Sequence, residues 1–426
     1  MDFTEFTEKV SSALWGCPVL ILLLGGGLIL SFRIGFSQLR IISIFKRTVR
    51  TVKGDADEKQ GISCFQGFST ALAAAVGTGS VTGVGAALAV GGKGAVFWMW
   101  VSAAIGMGIS YCENYLGVKY SGKTGICGAM SYLERVGRGK ILAVLYAAFT
   151  VLASLGMGNM AQASSVVTAA REGFGISKYA AALILVIFTA FTVSGKSSAA
   201  KLCERLVPFM AGIFLLGSLA VILSSPLKAA GALKEIVQCA MSPKAAAGGG
   251  IGFVCIEGIK RGAFSHEAGL GSSVSVHSSC KKSGSSPEED LGIMGMAEVF
   301  IDTMVICTVT ALVIIISGVK LTPDSAVTGY SAALPAGRPF ISVSLILFAL
   351  ATVAGWYFIG EKAWSYLFGG GGTVYSAIFI MCVYFGSVYD PSLVWGISDI
   401  FNGLMALPNM TGVLVLSKEI LPPRVR

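Results

Sequence analysis

The sequence predicts an all-α polytopic membrane protein, and three observations support that fold class. Of the 426 residues, 54% are hydrophobic and only 13% are charged, and the mean hydropathy is +0.75. This composition leaves too little polar surface for soluble domains of ordinary size. Apolar segments of about 20 residues, the length that crosses a bilayer, recur along the chain. Basic residues fall mainly in the short loops between these segments, as is typical of membrane proteins.

The apolar segments predict eleven transmembrane helices. The acidic start "MDFTEFTEKVSS" lacks the basic region of a secretory signal, so the apolar run after it is expected to remain as a membrane span. The eleven spans fall at residues 13–32, 64–89, 94–118, 140–170, 178–195, 203–225, 247–279, 291–318, 339–367, 373–389 and 392–408.

The net charge of +9 relates to membrane orientation and does not indicate a nucleic-acid partner. Nucleic-acid binding would need basic residues gathered on one face or along one helix, and here they are spread over short loops. The loops on the side of the bilayer that carries the C-terminus contain more Lys and Arg than the loops on the opposite side. The positive-inside rule therefore predicts an external N-terminus and a cytoplasmic C-terminus. The expected location is the cell inner (cytoplasmic) membrane.

The segment "RIGFSQLRIISIFKRTVR", residues 33–50, alternates apolar and basic positions with helical spacing. It is predicted to lie along the inner membrane surface as an amphipathic helix. A short basic loop is an equal alternative for its C-terminal half. The polar stretch "HSSCKKSGSSPEED" at residues 277–290 has the composition of a loop and is the best internal linker.

Two of the eleven spans are interrupted by glycines and hydroxyl residues. The span at 64–89 contains "VGTGSVTG", and the span at 247–279 contains "GAFSHEAGLGSSVS". The first resembles a dinucleotide-binding glycine pattern, but a membrane span surrounds it where a strand and a soluble helix would be needed. Irregular backbone in a membrane is tolerated only where it is buried or lines a polar cavity. The alternative is that small residues simply allow close helix packing.

The interrupted spans lie five spans apart, which predicts an inverted repeat. If the first span is an extra N-terminal helix, each interrupted span opens a set of five, and an odd number per set inverts the second set. The predicted regions are an N-terminal helix with an amphipathic segment, a first repeat, an extracellular connection, a second repeat and a cytoplasmic tail. Their bounds are 1–60, 61–225, 226–246, 247–408 and 409–426.

The chemistry of two broken helices suits a small zwitterion. Half-helix N-termini offer unpaired amides to a carboxylate, and exposed carbonyls and hydroxyls can bind an ammonium group or Na⁺. Na⁺ prefers oxygen ligands, which the hydroxyls of Thr78, Ser80 and Ser272 could supply.

Four segments together closely resemble the alanine or glycine:cation symporter family, also called the sodium:alanine symporters. They are "ALAAAVGTGSVTGVGAALAVGGKGAVFWMW", "KRGAFSHEAGLGSS", "FIDTMVICTVTALVI" and "ALATVAGWYFIGEKAWSYLFG", and the resemblance runs from about residue 16 to 416. It implies a sodium- or proton-coupled amino-acid carrier with a ten-helix inverted-repeat fold and one additional helix.

The resemblance also implies a pocket between the two broken helices and the helices that carry "GMGNMAQAS" and "TVAGW". The implied substrate-binding residues are Gly77, Thr78, Gly79, Ser80, Gln162, Phe264, Gly269, Gly271, Thr352 and Trp356. The candidate cation ligands are Thr78, Ser80, Ser272 and Thr352. An aromatic wall and a glycine-lined floor suit a substrate as small as alanine or glycine.

The chain departs from the family pattern at several of these positions. Ser80 and Ser164 stand where the family usually has Asn, and His266 stands where it also usually has Asn. The residues after Trp356 are Tyr357, Phe358, Ile359 and Gly360 where the family has Ser-Tyr-Tyr-Gly. These changes remove polar groups near the pocket, so they bear on substrate identity and cation choice.

Several ionisable residues within or near the spans need a partner or a wet cavity. His266 and His277 lack metal-ligand spacing, and the ten cysteines form no CxxC pair, so no transition-metal site is predicted. His266 with Glu267 could relay protons, or His266 could simply be a paired residue near the cytoplasmic mouth. For Asp302 and Glu113, structural pairing is favoured over cation binding. Lys260 and Arg261 suggest a wet vestibule or a gate.

The sequence therefore predicts a secondary active symporter that imports a small neutral amino acid, such as alanine, glycine or serine, on a sodium gradient. The alternatives are a proton-coupled carrier of another small amino acid, an ion channel and an intramembrane enzyme. No enzymatic activity and no cofactor are predicted. The expected partners are the amino acid, sodium and the lipid bilayer, and the sequence does not set the oligomeric state.

Overall fold

The structure, a computed structural model, is helical along nearly all of the chain that it describes. The described residues are 3–54, 61–137, 139–195, 198–241, 251–281, 286–389 and 391–424. Within these ranges the extended pairing is limited to one isolated bridge between Ile62 and Cys280. Seven helices there are long and apolar enough to cross a membrane, and two shorter apolar helices accompany them. The predicted all-α polytopic class is confirmed.

The N-terminal region consists of three helices: α1 (Phe3–Trp15), α2 (Cys17–Arg33) and α3 (Ile41–Lys53). Gly16 separates α1 from α2, so the first predicted span begins with a bend. The indole Nε1 of Trp15 donates to the backbone carbonyl of Asp399 at 2.8 Å, which ties α1 to the C-terminal part of the chain. Since α3 is a regular helix of 13 residues, the amphipathic helix is the correct alternative for its segment.

The first set of five spans begins with a broken helix and contains a second irregularity in its third span. Its helices are α4 (Cys64–Ala75), α5 (Gly79–Gly91), α6 (Gly94–Thr124), α8 (Gly139–Leu155), α9 (Ala161–Phe174), α10 (Lys178–Val193) and α11 (Ser198–Ser224). A π-helical turn, Gly156–Met160, joins α8 to α9, and the short helix α7 (Met130–Leu133) precedes α8. A capping box fixes the start of α4: Ser63 accepts from the amide of Gln66, and Gln66 accepts from the amide of Ser63.

The second set also begins with a broken helix. Its helices are α13 (Ile251–His266), α14 (Ser272–His277), α15 (Pro287–Val299), α16 (Thr308–Ser317), α18 (Gly337–Phe368), α19 (Gly372–Val388) and α20 (Pro391–Val415). A π-helical segment, Phe300–Cys307, joins α15 to α16. The short helix α17 (Ser325–Ala333) precedes α18.

Both predicted interruptions are real breaks in the helices. Residues 76–78 separate α4 from α5, and residues 267–271 separate α13 from α14. The connection predicted at 226–246 contains a helix, α12 (Pro226–Ala240), and its last five residues lie outside the described part. The predicted linker at 277–290 is also only partly described, since 282–285 are outside it.

The helix α6 lies at the centre of the packing, against α2, α5, α12, α13 and α15. Glycines allow this close approach. A Cβ atom added to Gly106 would lie 2.6 Å from His266 Cε1, and one added to Gly117 would lie 2.1 Å from Val274 Cγ1. Small residues therefore do assist close helix packing here, in addition to breaking helices elsewhere.

The segment after α20 crosses the ends of other helices. Arg33 at the end of α2 donates to the carbonyls of Ser417 and Lys418 at 3.1 and 2.7 Å. The Glu419 carboxylate accepts from the Tyr120 hydroxyl at 2.6 Å and pairs with Lys119 at 2.9 Å. These two hydrogen bonds hold the pKa of Glu419 below its usual value. The segment after α20 is thus tied to α2 and α6 at one end of the helix bundle.

Candidate functional site

At the first break, backbone amides without a helical acceptor lie beside open space. The amide of Val76 bonds to the Leu72 carbonyl and ends α4, while the amide of Ser80 bonds to the Gly77 carbonyl in the first turn of α5. The amides of Thr78 and Gly79 lie at the helix start, where no earlier helical carbonyl is available to them. A Cβ atom added to Gly79 would meet no atom within 4 Å.

Four of the predicted pocket residues gather around this break. The Thr78 hydroxyl donates to Gln162 Oε1 at 3.0 Å. A Cβ atom added to Gly77 would lie 2.8 Å from Thr352 Oγ1 and 3.6 Å from Gln162 Oε1, so only glycine fits there. The Thr352 hydroxyl lies 2.9 Å from the Ala73 carbonyl, at the end of α4. The helices α9 and α18 therefore meet the broken helix at its interruption.

A buried carboxylate lies where both broken helices meet the π-helical segment. Asp302 Oδ1 accepts from the Ser80 hydroxyl at 2.5 Å, and Asp302 Oδ2 accepts from the Ser265 hydroxyl at 2.7 Å. The Thr303 hydroxyl lies 2.8 Å from Oδ2, and the Ser265 and Ser80 hydroxyls are 3.3 Å apart. We call Ser80, Ser265, Asp302 and Thr303 the Asp302 cluster.

The Asp302 cluster is fully enclosed and contains one ionisable group, the Asp302 carboxyl. Its four side chains are at most 4% exposed. Within the described ranges, no Lys, Arg or His nitrogen lies within 4 Å of the carboxylate. An isolated buried charge is costly unless a counter-charge accompanies it. Asp302 is paired with three hydroxyl groups and with no cationic side chain of the described residues, so the cluster could offer hydroxyl and carboxylate oxygens to a small cation.

The second break centres on Glu267, which adopts a left-handed backbone conformation with φ +54°. Its carboxylate accepts from the Trp356 indole at 3.2 Å and from the Ser272 hydroxyl at 2.8 Å. A Cβ atom added to Gly158 would lie 2.2 Å from Trp356 Cβ, so the indole packs directly on the π-helical turn Gly156–Met160. Trp356 thereby connects α18 to both the second break and the first repeat.

A further buried carboxylate, Glu113, is hydrogen-bonded to the second break. Glu113 Oε2 accepts from the Asn409 side-chain amide at 2.8 Å and from the Gly269 backbone amide at 3.3 Å. The same Asn409 amide donates to the Gly269 carbonyl at 2.8 Å, and Asn409 Oδ1 accepts from the Tyr132 hydroxyl. We call Glu113, Asn409 and Tyr132 the Glu113 network.

Three predicted pocket residues are placed differently from the others. A Cβ atom at Gly269 would point at Leu23, and one at Gly271 would point at Asn409 and Tyr146. The Phe264 ring packs between Trp15 and Trp395, with centroid distances of 5.9 and 6.4 Å. These residues contact α1, α2 and α20 on one side of the second broken helix. Of the four candidate cation ligands, Thr78 and Thr352 lie at the first break, Ser80 belongs to the Asp302 cluster and Ser272 contacts Glu267. They do not form one group.

Three further ionisable residues of the spans, His266, His277 and Arg261, have local partners. His266 Nε2 lies 3.1 Å from the Ser102 hydroxyl, and its Nδ1 accepts from the Ala268 amide at 3.1 Å. This arrangement fits a neutral, paired imidazole. His277 pairs with Glu298 at 2.7 Å, and Arg261 pairs with Glu257 at 2.8 Å.

Sequence reasoning missed Ser265, Thr303, Asn409 and the role of Asp302. One signal was available: "IDT" places a carboxylate beside a hydroxyl within an uninterrupted apolar run. The partners of Asp302 could not be read from that run, because Ser80 is 222 positions away in the chain. No comparable signal marks Asn409.

Two broken helices that open successive sets of five spans, with an enclosed oxygen cluster between them, define a membrane transporter of the inverted-repeat type. The sequence profile of the sodium:alanine symporter family matches residues 1–422. The chain belongs to that family, as the motifs indicated.

Individual proteins agree with this assignment. The chain is 37% identical over 436 residues to the sodium/alanine symporter AgcS of Methanococcus maripaludis, covering 98% of this chain and 95% of that one. It is 34% identical over 427 residues to the probable sodium/glutamine symporter GlnT of Bacillus subtilis, covering 96% and 87%. The solved structure of MhsT in complex with L-phenylalanine has the same fold, with a TM-score of 0.59 and 15% identity, covering 86% of this chain and 98% of that one.

These findings establish the class of function. The chain is a multi-pass membrane protein and a sodium-coupled amino-acid symporter, built on two sets of five helices with an extra N-terminal helix. Because the relatives are named as transporters, the prediction that the protein is not an enzyme is confirmed.

Proposed function

We propose that the protein imports a small neutral amino acid, such as alanine, glycine or serine, together with Na⁺ by alternating access. The observation that carries this proposal is the Asp302 cluster, which joins both broken helices through oxygen atoms around a carboxyl group with no cationic partner among the described residues. A cation bound in this cluster contacts oxygen atoms from both five-helix repeats. The proposed location is the inner membrane, with the N-terminus outside.

The proposed substrate site begins at the open space beside Gly79. The amides of Thr78 and Gly79 suit a carboxylate, because they lie at the N-terminus of α5. The Glu267 carboxylate on the second break provides negative charge for the ammonium group. Trp356 limits the length of the side chain that can fit, which favours the smallest neutral amino acids.

Relatives support this substrate class without fixing it. AgcS is named for alanine and GlnT for glutamine, so the family accommodates side chains of different size. In this chain Gly77 and Gly158 are already in close contact with Thr352 and Trp356. Little room remains there for a longer side chain, which is why we place alanine, glycine and serine ahead of glutamine.

An uptake assay in reconstituted vesicles tests the proposal. Radiolabelled alanine should accumulate under an inward Na⁺ gradient and should not accumulate when choline replaces Na⁺. Unlabelled glycine and serine should compete, and glutamine should compete more weakly. Vesicles without protein provide the background.

Three outcomes would contradict parts of the proposal. Accumulation driven equally by a proton gradient without Na⁺ would favour the proton-coupled alternative. Ionic current that needs no amino acid would favour a channel. Absence of uptake for every neutral amino acid under both gradients would exclude the proposed function as a whole.

A pair of glycine substitutions tests the position of the substrate. Gly79→Ala places a methyl group into the open space beside the first break, so we expect alanine affinity to fall about tenfold or more by steric exclusion. Gly83→Ala is the matched control, since a Cβ atom there also meets no atom within 4 Å but lies one turn further along α5. Equal alanine affinity in both variants would place the substrate elsewhere.

A further inference from the structure

The helix α3 has three distinct faces, and one of them faces no protein partner in the described part of the chain. Ile44 and Thr48 are buried against the protein, while Ile42 and Val49 are 73% and 49% exposed. The side chains of Lys46, Arg50 and Lys53 are also exposed. At 100° per residue, these three cations occupy one arc that directly adjoins the exposed apolar pair.

The basic arc consists of cations that have no ion-pair partner among the described residues. In the part of the chain that is described, no carboxylate lies within 4 Å of Lys46, Arg50 or Lys53. Arg47, on the other side of the helix, is different: it pairs with Asp290 at 2.6 Å and with Glu289 at 3.2 Å. The segment from Arg33 to Lys53 contains no acidic residue. Within the described ranges, three positive charges therefore remain available to a ligand outside the protein.

The exposed apolar residues around α3 indicate where that ligand lies. Phe32 at the end of α2 is 71% exposed and Leu39 is 68% exposed, so the apolar surface of the membrane span continues into α3. A helix at the end of a span, with an apolar edge beside a basic arc, places its cations at the level of the lipid headgroups.

We propose that Lys46, Arg50 and Lys53 form a binding surface for anionic phospholipid headgroups, with Ile42 and Val49 immersed among the acyl chains. The ligand class is a phospholipid with a net negative headgroup, such as phosphatidylglycerol. A charged surface of this kind selects anionic over zwitterionic lipids, since each Lys or Arg near it contributes about fivefold in binding. This proposal does not depend on the transported substrate.

Native mass spectrometry of the delipidated, detergent-solubilised protein tests the proposal. Phosphatidylglycerol and phosphatidylcholine are titrated separately, and the bound lipids are counted. The unmodified chain should retain phosphatidylglycerol about fivefold or more over phosphatidylcholine. The triple variant K46Q/R50Q/K53Q should lose that preference, and the variant K46R/K53R should keep it.

A matched variant removes the same number of charges elsewhere. Lys201, Lys228 and Lys234 are exposed on α11 and α12, and K201Q/K228Q/K234Q should keep the lipid preference. An excess of glycerol phosphate, which has the phosphate without acyl chains, should not displace phosphatidylglycerol. An unchanged preference in K46Q/R50Q/K53Q, an equal loss in the matched variant, or displacement by glycerol phosphate would each overturn the proposal.

Discussion

Replacing Asp302 with Asn is expected to weaken Na⁺-dependent uptake at least about a hundredfold, through a higher half-saturating Na⁺ concentration. The substitution keeps the shape of the side chain and removes the only charge of the Asp302 cluster. Loss of one partner from a buried charge pair typically costs about 3–5 kcal/mol, and about 2.7 kcal/mol already corresponds to a hundredfold. The measurement is alanine uptake across a Na⁺ titration.

Two further variants make the Asp302 experiment specific. Ser80→Ala removes a neutral hydroxyl ligand and leaves the charge, so its effect should be smaller, about tenfold. Asp324→Asn makes the same chemical change at an exposed position and should leave the Na⁺ titration unchanged. If Asp302→Asn shows the unmodified half-saturating Na⁺ concentration, the cluster does not bind the coupling cation.

Replacing Glu113 with Ala is expected to destabilise the protein strongly. The side-chain amide of Asn409 and the backbone amide of Gly269 would lose their shared acceptor in a fully buried position. At about 1–3 kcal/mol for each orphaned donor, the loss is roughly 2–6 kcal/mol. The measurement is the midpoint of thermal unfolding in detergent, followed by intrinsic fluorescence.

A graded pair of controls accompanies Glu113→Ala. Glu113→Gln retains one acceptor oxygen for both donors and should be milder. Glu419→Ala removes a partly exposed carboxylate: its pair with Lys119 contributes about 0–1 kcal/mol and its hydrogen bond from Tyr120 about 1 kcal/mol, so the loss should be smaller. Equal midpoints for Glu113→Ala and Glu419→Ala would show that the Glu113 network does not hold the second break in place.

The helices were predictable from the sequence because hydropathy acts locally. Every predicted span corresponds to one or two observed helices, and the glycines of "VGTGSVTG" predict the break at residues 76–78. The second break is shorter than its motif, because α13 continues through Phe264 to His266 before the chain turns at Glu267. The helix α12 was not predicted, since its 15 residues include Lys228, Lys234 and Glu235 and do not form a span.

The site was only partly predictable because its contacts are long-range. Gly77, Thr78, Gln162 and Thr352 meet as the family motifs implied. The sequence marks Asp302 as a carboxylate within or near a span. Its hydroxyl partners come mainly from two other helices, so no local sequence pattern predicts their contact. The family motif places Gly269 and Gly271 in the pocket, whereas the structure directs the added Cβ atoms towards Leu23 and Asn409.

The contact between the two ends of the chain has a consequence for biosynthesis. Arg33 and Trp15 find their hydrogen-bond partners 384 positions later in the chain. At about 5–20 residues per second, the ribosome needs roughly 20–80 s to supply those partners. During that interval the Trp15 indole and the Arg33 guanidinium lack the carbonyls to which they bond in the folded chain. The first helices therefore reach their final packing only after the last helix has been synthesised.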